Sequence, residues 1–439
     1  MSAASEGGAV MRVLIAGAGI AGLTTALSLH AAGIRCTVVD RARRLTTAGV
    51  GINLQPHAVR ELTELGLGDE LAAIGVSIAE MAHFDRFGNR IWDEPRGVAA
   101  GYRWPQYAVH RGELHALLLR AVHDRLGPGA VVTGLAVEDF AEVPGGVRVR
   151  LRDRTTGEPV EREADVLVGA DGLHSAVRAR LYPDEGPPVD SGILMWRGTA
   201  RREPFLTGHT MIVAGTNSAA KFVAYPISPT VAGRAVINWV AEVRLPGHRI
   251  VADWTTRGRL EDVLPHFGDW RFGWLDVGGL IRASEQILVY PMVDRDPLPF
   301  WSAGRVTLVG DAAHPMYPIG SNGGSQAVLD ARVLAYHLAT APDPAAALAA
   351  YEEARRETVN AIALANRSLG PERILRTVAE RAPNGFTDIR DVLSEDEIAA
   401  IGAAYRSTTS VDVAVLNERE SWTPPRAAEV VATRTATGG

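Results

Sequence analysis

The sequence predicts an α/β fold, α+β over the whole chain: a Rossmann-like domain, interrupted by an inserted, mostly antiparallel β-sheet domain and followed by C-terminal helices. Three observations predict it. Near the start, the apolar run Arg12–Ala16 leads into a glycine turn, a helical stretch Leu23–Ala32 and a second apolar run Ile34–Val39, the pattern of a βαβ unit. From Pro188 to Pro291 the pattern changes to short β-rich segments. Beyond them Arg305–Val309 returns to the composition of a buried parallel strand, and Ser325–Ala339 and Pro344–Leu369 are amphipathic and rich in Ala, Leu, Glu and Arg.

The elements follow in order. Met1–Val10 reads as a loose leader without the small-residue cleavage pattern of a secretory signal. The strands flanking Leu23–Ala32 require a right-handed crossover, which places a nucleotide site near the N-terminus. Pro56–Leu65 and Gly112–Leu126 look helical, Val131–Phe140 and Val147–Arg152 look like strands joined at Pro144-Gly145-Gly146, and Asp165–Ala170 is a third buried strand. In the β-rich stretch, Ile193–Ala200, Thr210–Ala214, Lys221–Ile227, Ala235–Val243 and Gln286–Tyr290 fit one antiparallel sheet, with Val251–Pro265 helix-like between them. A chain of 439 residues holds two to three domains. The expected partition is a leader 1–10, a discontinuous nucleotide domain 11–187 plus 292–340, an inserted domain 188–291, a helical region 341–422 and a disordered tail 423–439.

Composition removes several function classes. A net charge of −6 argues against general nucleic-acid binding, which draws most of its affinity from a basic surface. No window approaches the roughly 18 consecutive apolar residues of a membrane span. The single cysteine, Cys36, makes no intrachain disulfide and no metal cluster, so a reducing, cytoplasmic setting is expected. His57, His110 and His314 are isolated and lack metal-ligand spacing. Ser175 and Ser325 lack a nucleophile-elbow context. Lys221 is the only lysine among 45 basic residues, a compositional bias that carries no mechanism by itself.

The first chemical motif is Gly17-Ala18-Gly19-Ile20-Ala21-Gly22, a G-x-G-x-x-G between a strand and a helix. Glycines there permit a tight turn, close backbone approach to a pyrophosphate and close helix–strand packing, with phosphate at the positive helix end. Asp40, about 20 residues on, stands where an acid accepts hydrogen bonds from a ribose. Two later motifs, ADVLVGADGLHSAVR at Ala164–Arg178 and RVTLVGDAAHPMYPIGSNGGSQAVLDA at Arg305–Ala331, each place an acid beyond a strand end.

With these three motifs the sequence resembles the single-component FAD-dependent aromatic hydroxylases, the group A flavoprotein monooxygenases related to p-hydroxybenzoate hydroxylase. The blocks Gly49–Pro56 (GVGINLQP), His110–Leu114 (HRGEL), Met195–Gly198 (MWRG), Tyr225–Ile227 (YPI) and Tyr290–Leu298 (YPMVDRDPL) are similar to its phenazine-modifying members. The resemblance runs from Met11 to about Asn366. It implies FAD as cofactor, NADH or NADPH as transient co-substrate, and transfer of one atom of O2 through a flavin C4a-hydroperoxide to a small aromatic or heteroaromatic substrate in secondary metabolism, with or without decarboxylation. It also implies a cofactor set of Gly17, Gly19, Ala21, Gly22, Asp40, Arg41, Gly51, Arg111, Leu135, Asp171, Asp311, Pro318, Gly320, Gly323 and Gly324, and a substrate pocket with Trp196, Tyr225 and Tyr317. No residue is assigned as acid or base.

Several readings stay open. Asp40 replaces the Glu usual in this family, His57 replaces a small residue or Asn, and Ile319, Ser321 and Gly324 vary the flavin loop. Arg111 is expected to reach FAD phosphate, against a surface salt bridge. Arg178 is either structural or a nicotinamide contact. Arg44 reads as part of a solvated face. A halogenase is disfavoured, because Trp270 and Trp274 do not form W-x-W-x-I-P and Lys221 lacks the matching neighbourhood. Epoxidation, Baeyer–Villiger insertion or a non-catalytic FAD-binding protein are the alternatives on the same fold, as monomer or homodimer.

Overall fold

A computed structural model describes residues 11–46, 49–245, 256–367, 372–400 and 412–424. The first sheet has six strands in the order Ser302–Ala303, Val306–Leu308, Val166–Gly169, Arg12–Ala16, Arg35–Asp40, Val131–Thr133. All neighbours are parallel except the edge pair Ser302–Ala303 with Val306–Leu308. The central strands are apolar throughout because both faces are covered: Val13, Leu14, Ile15, Val166, Leu167 and Val168 are all buried. Helix Ile20–Ala31 packs on helices Arg111–Leu126 and Gly323–Thr340, which brings the first and last motifs of the domain together.

The second sheet has seven strands: Ile287–Asp294, Val189–Arg202, Ala235–Arg244, Ala220–Pro226, Thr210–Gly215, Glu80–Phe84 and Arg90–Pro95. Five come from the β-rich stretch, and each of the five expected β segments overlaps one of them. The other two come from residues 80–95, inside the stretch assigned to the nucleotide domain. Only one pairing, Glu80–Phe84 with Thr210–Gly215, is parallel. The division at residue 187 is therefore incomplete: contiguous composition does not reveal a pair of strands that crosses to another sheet.

Alternation along these strands sorts the sheet's two faces. On one face Phe84, Trp196, Ile212, Phe222 and Trp239 form a core with helices Leu260–Phe267 and Val277–Arg282. On the other, Met81, Met211, Val213 and Tyr225 meet Ile374, Leu375 and Val378 of helix Glu372–Arg381. A small sheet of Gly51–Leu54, Gln106–His110 and Val76–Ile78 lies between the two large ones in the chain, and Leu135–Ala164 forms a three-stranded antiparallel sheet of its own.

The C-terminal segment is anchored by polar contacts. Arg60 donates to the carbonyls of Leu416 (2.8 Å) and Arg419 (2.7 Å), Ser421 donates to Glu64 (2.6 Å), and Arg419 pairs with Glu61. Thr423, expected to open a disordered tail, accepts from the buried Arg332 at 2.7 Å. The leader and residues 425–439 lie outside the described residues, as do residues 251–255 of the helix expected at Val251–Pro265, which is found at Leu260–Phe267. Among the described residues no helix is long and apolar enough to cross a membrane.

Candidate active site

The glycine turn sits at the carboxyl ends of the parallel strands, where open α/β sheets bind ligands. Gly17 has φ +108°, and a Cβ there would lie 2.3 Å from the Ala170 carbonyl oxygen; one on Gly22 would lie 1.9 Å from that of Gly17. A Cβ on Gly19 would meet nothing within 4 Å. The outer glycines are thus required by protein packing, whereas Gly19 borders open space. Gly19 also starts helix Ile20–Ala31, which has no side-chain cap and no acid in its first turn, with Ala21 buried there. Its first N–H groups have no side-chain acceptor, an arrangement that suits an anion.

Asp40 ends the second strand and accepts from the amides of Ala18 and Ala42, each at 2.7 Å, tying the glycine turn to the next one. Around it a cavity of about 250 Å³ is lined by Gly19, Arg44, Arg111 and His115. Arg111 is exposed and forms no ion pair with any described residue, so the salt-bridge alternative has no partner. Of the basic run, Arg44 reaches this cavity, while Arg41 is exposed outside its lining. Leu135 is buried in the core and lines a different cavity with Arg12, Arg35 and Cys36. His115, not singled out from the sequence, holds the Ala18 carbonyl at 2.7 Å. Its only signal was its position four residues after Arg111, one helical turn on.

The aspartate-glycine motifs play two roles. Asp171 accepts from the Ser175 hydroxyl and from the Ala176 amide at 2.7 Å, so its carboxylate closes its own turn. Arg178 is buried and saturated, donating to Ala312, Ala313 and Asp296 carbonyls and to both oxygens of Glu185. That makes it a structural tie between the motifs. Asp311, in contrast, is exposed and has no hydrogen-bond partner among the described residues.

Next comes the loop Pro318–Asn322 and helix Gly323–Thr340. Gly320 (φ +70°) and Ser321 (φ +57°) turn the backbone through left-handed conformations. The helix begins without a side-chain cap, and the buried Asn322 amide nitrogen has no partner. Gly324 is pressed on Ile52, since a Cβ there would lie 2.8 Å from its Cδ1. Gln55 clamps this loop: its side chain donates to the Gly320 carbonyl at 2.8 Å and its amide to Ser325 Oγ at 3.0 Å. It lies within the GVGINLQP block but was not singled out as a site residue. His57, two residues on, is buried, and burial with the nearby Arg355 and Arg419 lowers its pKa to about 3.

A second cavity separates this loop from the seven-stranded sheet, with Pro318 and Gly320 on one side and Asn53, Arg197, Lys221 and Tyr225 among the residues opposite. Gly51 closes its edge: its amide donates to Asn238 Oδ1 at 2.7 Å, its carbonyl accepts from Arg197 at 2.6 Å, and a Cβ would lie 2.8 Å from the Tyr225 ring. Tyr225 is buried, with Arg197 and Asn53 beside its hydroxyl; burial raises its pKa, and the Arg197 guanidinium opposes the rise. Tyr317 packs at the margin with Met195, Tyr290 and Ile319.

Trp196, expected in this pocket, is not there. It lies on the opposite face of the sheet, packed in the Trp239 core and stacked on His266 at 5.9 Å. Because strand side chains alternate, a difference of one residue exchanges faces, and Arg197 occupies the cavity side. The lone lysine is on that side too. Lys221 is bonded to Glu242 (2.8 Å) and Asn217 (2.7 Å), and Asn217 donates to Glu242 at 2.5 Å. Composition had marked Lys221 as solitary, but only strand register brings it opposite Glu242.

Residues 10–251 and 289–365 match the sequence model of a family described as FAD binding domain. The chain is 50% identical over 401 residues, 90% of its length and 96% of the relative's, to the phenazine 1,6-dicarboxylic acid hydroxylase PhzS of Lysobacter antibioticus. It is 36% identical to 3-amino-4-hydroxybenzoate 2-monooxygenase PtnB3 of Streptomyces platensis, covering 82% of this chain and 88% of that one. Among solved structures, HpxO of Klebsiella pneumoniae, complexed with FAD and uric acid, superposes with a TM-score of 0.72 at 26% identity, covering 91% of this chain and 97% of HpxO.

Proposed function

The chain belongs to the FAD-dependent aromatic hydroxylases, and from that premise we propose that it hydroxylates a planar heteroaromatic carboxylate of the phenazine type, using O2 and NADH or NADPH. It is a flavin-dependent monooxygenase with FAD as its cofactor. The bound flavin supplies the oxygen-transfer chemistry. The observation that carries the substrate reading is the cavity between the Pro318–Asn322 loop and the second sheet, bounded by Arg197 and Tyr225, in a chain half identical to a phenazine dicarboxylate hydroxylase.

The residues present fit FAD. The uncapped helix start at Gly19 and the side chain of Arg111 would hold the pyrophosphate, Asp40 the adenosine ribose and Asp311 the ribityl chain. The second uncapped helix start, at Gly323, and the loop amides before it would face the flavin and favour negative charge on it. Tyr225 offers a flat surface at the other cavity, Tyr317 packs at its margin, and the apolar Met81, Met195 and Met211 exclude water from it. We place the enzyme in the cytoplasm, as a monomer or homodimer.

The test is NADH and NADPH oxidation by the FAD-loaded protein with a panel of phenazine and benzene carboxylates, followed by mass spectrometry of the products. The expected outcome is faster oxidation with a phenazine carboxylate and a product that has gained one oxygen, or has exchanged its carboxyl for a hydroxyl. Unchanged oxidation rates across the panel overturn the proposal.

A further inference from the structure

Two cations, Arg197 and Lys221, border the cavity beside the flavin loop, and their surroundings differ in a way that decides which of them meets a charged substrate. Lys221 is neutralised in place. It is 7% exposed, its ammonium lies 2.8 Å from Glu242 and 2.7 Å from Asn217, and Asn217 closes the ring back to Glu242. An anion approaching this trio meets the Glu242 carboxylate as well as the ammonium, so the trio offers no net charge.

Arg197 has no such partner. No described carboxylate forms an ion pair with it; its contacts are the Gly51 carbonyl at 2.6 Å, the Tyr225 hydroxyl and the face of Tyr290, 5.4 Å from the ring centroid. Its Nε is buried and unbonded. A guanidinium held by neutral groups, with a buried N–H left over, retains a full positive charge and an unused donor. Strand register sets this arrangement: Met195 and Arg197 project to the cavity side and pair with Glu242 and Val240 of the neighbouring strand, so Glu242 lies one strand away from Lys221 and is consumed by it.

We propose that Arg197 is the specificity-determining residue of this cavity, receiving the acidic group of a planar aromatic substrate on its uncompensated guanidinium, with the Lys221–Glu242–Asn217 trio acting as a neutral wall. The proposal rests on the hydroxylase reading and deepens it by assigning the charge recognition to one side chain. It predicts preference for an acid over its amide, and it assigns that preference to Arg197 rather than Lys221.

The test measures binding of phenazine-1-carboxylate and phenazine-1-carboxamide to the FAD-loaded protein by calorimetry, in wild type, Arg197→Met, Arg197→Lys and Lys221→Met/Glu242→Gln. Retained FAD absorbance and melting temperature report on folding. Loss of one charge-assisted hydrogen bond should raise the Kd for the acid by about 10–100-fold in Arg197→Met, with the amide changed by less than about threefold. Arg197→Lys should recover part of the preference, and the double variant Lys221→Met/Glu242→Gln, which removes the ion pair and keeps the wall uncharged, should leave the acid-to-amide ratio unchanged. Equal losses for acid and amide in Arg197→Met make Arg197 a structural support of Gly51 and overturn the assignment. A ratio that collapses in Lys221→Met/Glu242→Gln overturns it in favour of the lysine. Wild type that binds neither compound overturns the phenazine reading itself along with the assignment, whereas binding of both with an unaltered ratio in every variant overturns the assignment alone.

Discussion

Gly19 and Gly22 stand three residues apart in one motif, yet steric surroundings give them different reasons to be glycine. A methyl on Gly22 is driven to 1.9 Å from a backbone oxygen, so Gly22→Ala should destabilise the protein with or without FAD, by about 2 kcal/mol or more. A methyl on Gly19 meets no protein atom, so Gly19→Ala should leave the melting temperature of the FAD-free protein unchanged and weaken FAD binding at least about tenfold. Thermal melts of the stripped proteins and fluorescence titration with FAD check both. If Gly19→Ala lowers the apoprotein melting temperature as Gly22→Ala does, the distinction is wrong. The same local geometry separates Asp171, spent on its own turn, from Asp311, which is open.

Among the elements, the Pro318–Asn322 loop has few anchors of its own, and Gln55 supplies one to Gly320 and a second to Ser325 in the helix that follows. Replacing Gln55 with Leu removes the side-chain bond to Gly320 but leaves the backbone amide bonded to Ser325. We expect the loop to loosen without unfolding: about 1 kcal/mol lost in stability, and a greater share of NADH oxidation yielding hydrogen peroxide instead of product. Peroxide release equal to wild type in Gln55→Leu would show that the clamp does not matter. This clamp indicates what the sequence can and cannot express. The βαβ unit, the five inserted strands and the GD-loop-helix were legible because each is a local pattern of period and glycine placement. Strands Glu80–Phe84 and Arg90–Pro95 were not, since their partners lie more than a hundred residues away or in each other. Trp196 was misplaced for a related reason: a strand pattern locates a residue on the sheet, but which face carries the cavity depends on what covers the other one.

At the scale of the whole molecule, two histidines are held neutral in its interior, and this couples stability to pH. His57 sits where helix Pro56–Glu64 meets helix Gly323–Thr340, near Gln326, Arg355 and Arg419. His83 stacks on Trp92 at 4.6 Å in the second sheet, near Arg96 and Lys221. Burial, aided by these cations, lowers both pKa values to about 3. In the unfolded chain a histidine titrates near 6.5. Between those values the unfolded state binds protons that the folded state refuses, so stability is full above about pH 6.5 and falls as pH drops toward 3. At pH 5 each histidine removes about 2 kcal/mol relative to pH 7.5. Asp330, depressed by His314 and Arg355, acts in the same direction but only below the unfolded carboxylate range near 4, so it does not contribute in this window. His83→Phe keeps a ring against Trp92 and removes one titrating group. Urea unfolding at pH 7.5, 6.5, 5.5 and 5.0 should show wild type losing about 4 kcal/mol across the series and His83→Phe losing about half of that, with the difference growing steadily as pH falls. Parallel stability curves for the two proteins would mean that His83 takes up its proton inside the folded sheet, and that the buried face beside the cavity tolerates a charge there.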